Sequence, residues 1–567
     1  MPDGGSFITY FYTVRYLRFG QVCNHVARRI GKKSKETKKS QRIRQPAERE
    51  IRVRQGVHLQ PSLPRRLSLG GEWEFRFINI IQSFPPGEVD WRSTDKPKLW
   101  RYNLHYFDCL RDEGRRPDSC IRLLDHWIAL NPPGAPDAWE PFPVSLRVVN
   151  WIKFFNKREN RGSLKPGWLE SLYSQILWLE DNIESHLLAN HYFKNAKALI
   201  FGGLFFGGDD AGRWLKRGLH ILSAELDEQV LPDGGHFERS PMYHAMALED
   251  CLDLYNLCRG QDAPALRSLS QRLRTKARDM VHFLLGMTHP DGRIALFNDA
   301  AFGIEAEPAE LAGYYEALCG ERAAATEATM WSFPDTGYYV MAPEPGTRMI
   351  IDCGPVGPQY QPGHSHSDIL SFELSLKGRR VIVDSGCFQY EDGETRRYNR
   401  GGAGHNSVTI DGRDQSEVWG AHRCARRANP LYGRLDERGG GTLFFEGAHD
   451  GYRRLPGKPV HHRAVTWTGK SLMIEDRIEG GGRHELQSRL HIHPDLSVEI
   501  SDEARVAIVR HDTDVLATIV RQDGGSIFRT DGWYCPEFGI KRTCLVLAYT
   551  CKDTPLPFRG GWIIKLN

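Results

Sequence analysis

The stretch from Gly363 to Val408 carries more reactive side chains than a folded core needs. It contains His364, His366 and His405, together with several carboxylates, tyrosine and an arginine cluster. His364 and His366 lie two residues apart in a segment predicted to be extended, so both side chains would lie on one face of a strand. We therefore expect this stretch to contribute to a catalytic or metal-binding site.

Two imidazoles and one carboxylate in this stretch have the composition of a zinc site. His366 precedes an apolar strand, Asp384 ends the strand RVIVDSG, and His405 follows a glycine-rich segment. Such a set satisfies tetrahedral zinc with one position left for water. The spacing is not that of a zinc finger, so a buried His–Asp hydrogen-bond network is an equal alternative.

Two polar motifs interrupt the apolar segments that precede this stretch. Asn190 and His191 fall at a helix break in SHLLANHYFKNAKALI, where an Asn helix cap with a buried histidine is the simpler interpretation. The loop LFNDAAFG contains Asn298 and Asp299 between apolar residues, which alone predicts a turn.

A third motif, PDGGHFERSPMYH, places charged residues beside a tyrosine. Its Gly-Gly turn is followed by Glu238, Arg239 and Pro241, and the proline favours a helix start just before Tyr243. A packed aromatic with a satisfied hydroxyl is one interpretation. The other is that Tyr243 is a catalytic residue, because its charged neighbours can hold or tune its proton.

The elements that must position these residues change type once along the chain. From Trp100 to about Cys319, apolar residues recur at intervals of three and four, which predicts consecutive helices in a toroid or solenoid. After SFPDTG, short runs of β-branched and aromatic residues end at Gly, Asp or Pro turns, which predicts an antiparallel sandwich. The predicted boundary lies between Trp331 and Gly337.

Length and charge restrict the function classes. A chain of 567 residues exceeds one typical core, so we expect two large domains and an appendage. The 75 Lys and Arg nearly balance 71 Asp and Glu, which argues against nucleic acid as a partner. Basic residues concentrate between Arg28 and Arg66, where a solvated segment is the simpler interpretation than a tail for an anionic partner.

No apolar run approaches the length of a membrane span, and the first residues lack a signal-peptide pattern. On the sequence as given, we expect a cytoplasmic protein with no membrane span.

Several motifs in fixed order resemble the heparinase II/III family of polysaccharide lyases, in the subgroup associated with bacterial exopolysaccharide clusters. They are NHYFKNAKAL, GGHFERSPMYH, GHSHSDILSFEL, VIVDSG and RRYNRGGAGHNSV. The family includes alginate and heparan-sulfate lyases, some of them exported, so the resemblance implies a periplasmic or secreted protein. It also implies an α+β multidomain fold with a basic lead-in at 1–95, an incomplete (α/α) toroid at 96–332 and an antiparallel β-sandwich at 333–567.

The resemblance also assigns roles to individual residues. As catalytic residues it implies Tyr243, His364, Asn190, His191 and Tyr398. We expect substrate-binding roles for Glu238, Arg239, Arg400 and Asn298. As ligands of a mainly structural Zn²⁺ it implies His366, Asp384 and His405. The segment RGGAGHNSV, which contains the last of these ligands, His405, is more glycine-rich than is usual in the family.

These roles fit β-elimination from a uronic-acid polymer, in which a base removes the C5 proton and an acid protonates the leaving oxygen. Asn190 and His191 would bind the substrate carboxylate. Tyr243 would be the acid, or both acid and base, and His364 or Tyr398 is the other candidate base. Two alternatives are open: a glycoside hydrolase using Glu238 and Asp299, and a non-catalytic exopolysaccharide-binding protein.

Overall fold

A computed structural model describes residues 7–23, 51–54, 59–64, 71, 73–157, 164–323, 328–501 and 503–567. Helices dominate up to residue 319 and antiparallel strands dominate from residue 330, so the fold is α+β. Of the predicted basic lead-in at 1–95, residues 1–6, 24–50, 55–58, 65–70 and 72 lie outside the described residues.

The α-helices with described bounds are, in chain order, α1 Phe7–Val14, α2 Lys98–Tyr106, α3 Pro117–Leu130, α4 Pro141–Phe155, α5 Pro166–Asp181, α6 Ala189–Phe205, α7 Asp209–Gln229, α8 Pro241–Cys258, α9 Pro264–Gly286, α10 Pro308–Cys319 and α11 Glu394–Arg400. Helices α3, α4, α5, α8, α9 and α10 all begin at proline. Proline favours this position because the first helical N–H has no intrahelical partner and the ring presets a helical φ.

Helix α6 lies at the centre of the helical region and packs against α4, α5, α7 and α8. Its residues from Phe193 onward are almost all buried. The approach to α7 is close, because a Cβ at Gly203 would lie 2.7 Å from the carbonyl oxygen of Ala211. This packing fixes the start of α6, which carries Asn190 and His191.

The strands are β1 Arg52–Val53, β2 Glu74–Phe77, β3 Ile80–Ser83, β4 Phe206–Gly207, β5 Met330–Phe333, β6 Tyr338–Met341, β7 Arg348–Asp352, β8 Phe372–Leu376, β9 Arg379–Ile382, β10 Val408–Ile410, β11 Val418–Trp419, β12 Arg423–Cys424, β13 Pro430–Arg438, β14 Thr442–His449, β15 Val460–Trp467, β16 Ser471–Glu479, β17 Arg483–His491, β18 Ser497–Ile500, β19 Val506–His511, β20 Asp514–Arg521, β21 Phe528–Glu537, β22 Ile540–Pro555 and β23 Phe558–Leu566.

Three larger sheets, all antiparallel, make up the second region. Their strand orders are β5-β6-β7-β8-β9, β10-β17-β22-β21 and β13-β14-β15-β16-β23-β20-β19-β18. The buried apolar faces of these strands form a core that includes Phe372, Phe445, Trp467 and Trp562.

The helical and sheet regions are joined by apolar contacts and backbone hydrogen bonds. The helical core includes Val383, Cys387 and Tyr534 from the sheet region. The amide of Phe302 donates to the carbonyl of Pro536 at 2.7 Å. Both kinds of contact cross the boundary between the two regions that line the cavity. Among the described residues, no helix is long and apolar enough to cross a membrane.

The buried carboxyl of Glu225 makes the stability of the helical region depend on pH. Glu225 lies on α7 and accepts a hydrogen bond from Gln229 at 2.7 Å. Burial raises its pKa from 4.5 to about 7. The folded state therefore holds an extra proton between these values, and wild-type stability falls as the pH rises through this window.

We predict that Glu225→Gln removes this loss. The variant should melt a few degrees above the wild type at about pH 8.5, and the difference should shrink towards about pH 5. Thermal unfolding followed by circular dichroism measures both values. Glu170→Gln, an equal charge change at an exposed position of α5, is the control. A difference that does not vary with pH contradicts the prediction.

Candidate active site

A cavity of about 470 Å³ lies between the two regions. Helices α2, α4, α6 and α8 form one wall. The opposite wall comes from the loops around β8, β9, β11 and β21. Both walls contribute side chains with acid–base chemistry, including Asn190, His191, Tyr243, His364, Tyr390 and His422.

Tyr243 lies in the first turn of α8. Its amide donates to the side chain of Ser240, which caps the helix directly before Pro241. The hydroxyl lies 2.9 Å from that of Tyr390, and the ring contacts the ring of His364 at a centroid distance of 4.0 Å. Burial and the nearby charge of Glu238 raise the pKa of Tyr243 well above its ordinary value. The phenol is therefore protonated at neutral pH.

His364 forms a dyad with Asp299. Its Nδ1 lies 2.9 Å from Asp299 Oδ2, and its carbonyl accepts the amide of Asp299 at 3.0 Å. A carboxylate at this nitrogen favours the tautomer with the proton on Nδ1, so Nε2 can accept a proton. His364 lines the cavity, and this arrangement suits a general base.

His364 and His366 lie in a loop before β8, not in a strand as predicted. They still converge, because His366 Nε2 bonds the other oxygen of Asp299 at 2.9 Å. The shared carboxylate, rather than strand geometry, brings the two rings together.

Asp299 also binds Arg396, from α11, through both of its oxygens. Burial alone would raise the pKa of this fully buried carboxyl. The charge of Arg396 and the hydrogen bonds from Arg396, His364 and His366 outweigh that effect and hold the pKa well below its ordinary value. Asp299 is therefore ionised, and it accepts hydrogen bonds from side chains on α11 and on the loop before β8.

Asn190 and His191 lie in the first turn of α6, not at the end of a helix. Asn190 Nδ2 donates to both oxygens of Glu238, at 3.1 and 3.2 Å. His191 Nδ1 lies 3.2 Å from Glu184. Burial disfavours the charged imidazole, but the Glu184 carboxylate outweighs burial and raises the pKa of His191. The cavity wall thus presents an oriented amide beside an imidazole whose charged form Glu184 favours.

His366, Asp384 and His405 form a second, fully buried cluster. One potential ligand atom from each residue lies within 4.8 Å of the others. Within the described chain, His366 Nδ1 and His405 Nε2 have no hydrogen-bond partner. The other nitrogen of His366 bonds Asp299 at 2.9 Å, as the second nitrogen of a ligating histidine in a zinc site commonly bonds a carboxylate. The other nitrogen of His405 bonds Asp384, the third candidate ligand, at 2.7 Å. Two imidazoles and a carboxylate are donor types that fit zinc.

Tyr398 is not among the described residues that line the cavity. Its hydroxyl lies 3.0 Å from His491 Nε2 and accepts the amide of Trp533 at 3.3 Å. The expected catalytic role therefore lacks the geometry it requires. The helical turn of α11 instead directs Arg396, two residues earlier, to Asp299.

Arg400, Arg239 and Asn298, predicted to bind substrate, also lie outside the cavity lining. Arg400 is buried and donates to the carbonyls of Ser365, Gly420 and Arg423. Arg239 donates to the carbonyls of Thr336, Phe237 and Asp335. The Asn298 side chain bonds the backbone of Arg239 and His366. Guanidinium and amide groups whose hydrogen bonds go to backbone atoms in this way hold loops in position.

Glu238 lies behind the cavity wall and holds Asn190. Tyr390, Arg396 and His422 were not assigned from the sequence. Arg396 belongs to the arginine cluster that the sequence did mark, whereas Tyr390 and His422 stand alone in FQYEDG and AHRC and carry no local signal.

Two models of one protein family match consecutive parts of the chain. Residues 90–316 match the heparinase II/III N-terminus, and residues 325–554 match the heparinase II/III-like C-terminal domain. The chain belongs to the heparinase II/III family. The two matched ranges meet between α10 and β5, where the structure changes from helices to sheets.

Relatives of this family member carry two kinds of name. A heparin-sulfate lyase from Pedobacter heparinus is 26% identical over 351 residues, covering 57% of this chain and 52% of the relative. The chain thus spans about half the length of the heparin-sulfate lyases that it matches. An FtsZ-localized protein C from Caulobacter vibrioides is 24% identical and covers 73% of both chains.

Solved structures share the fold. A heparinase III structure matches with a TM-score of 0.64 at 18% identity, covering 85% of this chain and 80% of that one. A mutant heparan sulfate lyase from Pedobacter heparinus gives 0.61 at 19% identity, covering 87% and 81%.

We predict that Arg396→Met lowers the free energy of unfolding by about 3–5 kcal/mol, because it leaves the Asp299 charge buried without its main partner. Urea denaturation measures the change. Arg397→Met is the matched control, since its partner Asp392 is exposed and exposed pairs contribute below about 1 kcal/mol. Equal losses in the two variants would contradict the central role of Arg396.

Proposed function

We propose that the protein is a polysaccharide lyase that cleaves a uronic-acid-containing polysaccharide by β-elimination in the cavity. The observation that carries this proposal is the contact between a protonated tyrosine, Tyr243, and a histidine, His364, whose other nitrogen is held by a carboxylate. The family includes lyases, and relatives named heparin-sulfate lyase support the same reaction class.

Elimination requires that negative charge developing on the substrate be stabilised. Removal of the C5 proton turns a uronate into a dianionic enolate, and donors placed in advance near its carboxylate stabilise it by several kcal/mol. His191, whose charged form Glu184 favours, and the amide of Asn190 lie on the same wall and suit this role. Lys194, also on that wall, already forms an ion pair with Asp250 at 2.7 Å.

In the proposed reaction His364 Nε2 takes the C5 proton, and the electrons of the C–H bond form the C4–C5 double bond. The bond from C4 to the linking oxygen breaks, and Tyr243 donates its proton to that oxygen. The high pKa of Tyr243 suits the acid rather than the base. Proton exchange with solvent then restores both residues.

We further infer that His366, Asp384 and His405 bind a zinc ion. Two buried imidazole nitrogens that have no hydrogen-bond partner among the described residues, together with an adjacent carboxylate, support this assignment. A bound ion would supply a local positive charge and cross-link the segments around β8, β9 and β10. Asp299 would then orient both His366 and the base His364, which couples the metal cluster to the cavity without a direct role in the reaction.

The geometry argues against a hydrolase that uses Glu238 and Asp299. A glycosidase needs one carboxylic acid that is protonated at the cleavage site. Asp299 is held ionised by Arg396 and is fully buried, while Glu238 is engaged by Asn190. Neither carboxyl is placed to give a proton to a sugar. A bacterial exopolysaccharide is our proposed polymer, on the resemblance to that subgroup.

We predict that Tyr243→Phe lowers turnover of a cleavable polymer at least ~100-fold while sparing binding, because the acid is lost. Tyr398→Phe, which removes a hydroxyl outside the cavity, should retain activity. The assay is the ultraviolet absorbance of the new double bond conjugated to the carboxylate, over a panel of uronate polymers.

Reducing ends released without this absorbance would indicate hydrolysis and overturn the proposal. Binding without cleavage by the wild type, across the panel, would favour a non-catalytic role. The relative from Caulobacter vibrioides is named for its localisation and not for a reaction, so a non-catalytic role is kept as an outcome of this test.

We predict about one zinc ion per purified chain and its loss in His405→Ala. Elemental analysis measures the content, and thermal unfolding with and without chelator measures the stabilisation by the ion. His491→Ala is the control, because His491 is equally buried but lies outside the cluster. Wild-type protein that lacks metal after zinc loading would contradict the assignment.

A further inference from the structure

Helix α1 exposes its apolar face to solvent. Phe7, Ile8, Phe11 and Val14 are 79%, 57%, 57% and 52% exposed, and their spacing places them along one face of the helix. Phe19, shortly after the helix, is 84% exposed. Exposed large hydrophobic residues of the described chain concentrate here, and such a patch marks an interaction surface.

The opposite, more polar face of α1 holds the helix on the protein. The ring of Tyr10 contacts that of Trp419 at 4.8 Å, and Trp419 Nε1 donates to Thr13 at 3.1 Å. Arg427 lies over the ring of Tyr16 at 4.0 Å. A helix that served the core would turn its phenylalanines inward, so the outward orientation calls for an apolar partner.

Arginines surround the base of this helix. We call Arg15, Arg18, Arg423, Arg426 and Arg427 the arginine belt. Four of its members lie over aromatic rings in or beside α1: Arg15 and Arg426 over Tyr12 of α1, Arg423 over Trp419 of the adjoining hairpin, and Arg427 over Tyr16, just after α1. Two of its members are already paired, Arg18 with Glu228 and Arg426 with Glu417. Five arginines against these two glutamates still leave positive charge beside α1, whereas the whole chain has a formal charge of only +4.

We propose that α1 docks the protein on the surface of an anionic lipid bilayer, with the apolar face inserted among the acyl chains and the arginine belt at the headgroups. Apolar insertion combined with adjacent cations is the pattern of peripheral membrane binding. A second copy of the chain fits less well, because face-to-face pairing would bring two arginine belts together.

Docking through α1 fixes the cavity relative to the bilayer. Trp419 belongs to β11, and the β11–β12 hairpin carries the cavity residue His422. The helix therefore anchors one wall of the site. This inference does not depend on the proposed lyase activity, since lipid binding and cleavage are measured separately.

Vesicle co-sedimentation of the full chain tests the proposal. Wild-type protein should sediment with vesicles of phosphatidylglycerol and phosphatidylcholine, and at least tenfold more weakly with phosphatidylcholine alone. Phe7→Ser combined with Phe11→Ser should weaken binding to the anionic vesicles at least tenfold. The matched control is Ile81→Ser combined with Phe528→Ser, which removes exposed apolar residues, 55% and 42% exposed, from other surfaces. This control should bind as the wild type does.

Each other outcome overturns the proposal. Wild-type protein that stays in the supernatant excludes lipid as the partner. Unchanged binding of the α1 variant shows that charge alone, without the apolar face, causes association. A wild-type dimer that becomes monomeric in the α1 variant, with no lipid binding, identifies a second copy as the partner. Circular dichroism and thermal unfolding verify that both variants fold.

Discussion

The buried charge of Asp299 is the constraint on which the site depends. An isolated carboxylate in a protein interior is strongly unfavourable, so its partners must be held in place. Arg396 satisfies both oxygens, and His364 and His366 each occupy one of them. These partners come from α11 and from the loop before β8, while Asp299 belongs to the helical region. One charge thus sets the tautomer of the cavity histidine and the orientation of a buried one.

Much of the fold could be predicted from the sequence, because local patterns determine it. The change of apolar spacing near residue 330 coincides with the change from helices to strands. Proline at Pro241 predicted the start of α8 and hence the position of Tyr243. The family resemblance also pointed to Asn190, His191 and His364, which line the cavity. Motifs that occur in a fixed order reveal such a resemblance even at low sequence identity. The toroid and sandwich arrangements stay predictions beyond the α+β class.

The rest of the site depends on contacts that no local pattern encodes. Tyr398 and Arg400 lie in a motif-rich helix, yet its turns direct them to His491 and to backbone carbonyls. Tyr390 reaches the cavity only because the chain after β9 folds back over Tyr243. A sequence marks which residues can react. Which of them face the same space is decided by packing between distant segments.

The ring contact between Tyr243 and His364 has a stereochemical consequence. The ring centroids are 4.0 Å apart, so in the proposed reaction both side chains would act on the same side of the sugar. A proton taken by one and a proton given by the other must then belong to the same face of the pyranose ring. The proposed elimination is therefore syn. It selects uronates in which the C5 hydrogen and the C4 oxygen are cis, and it discriminates against their C5 epimers.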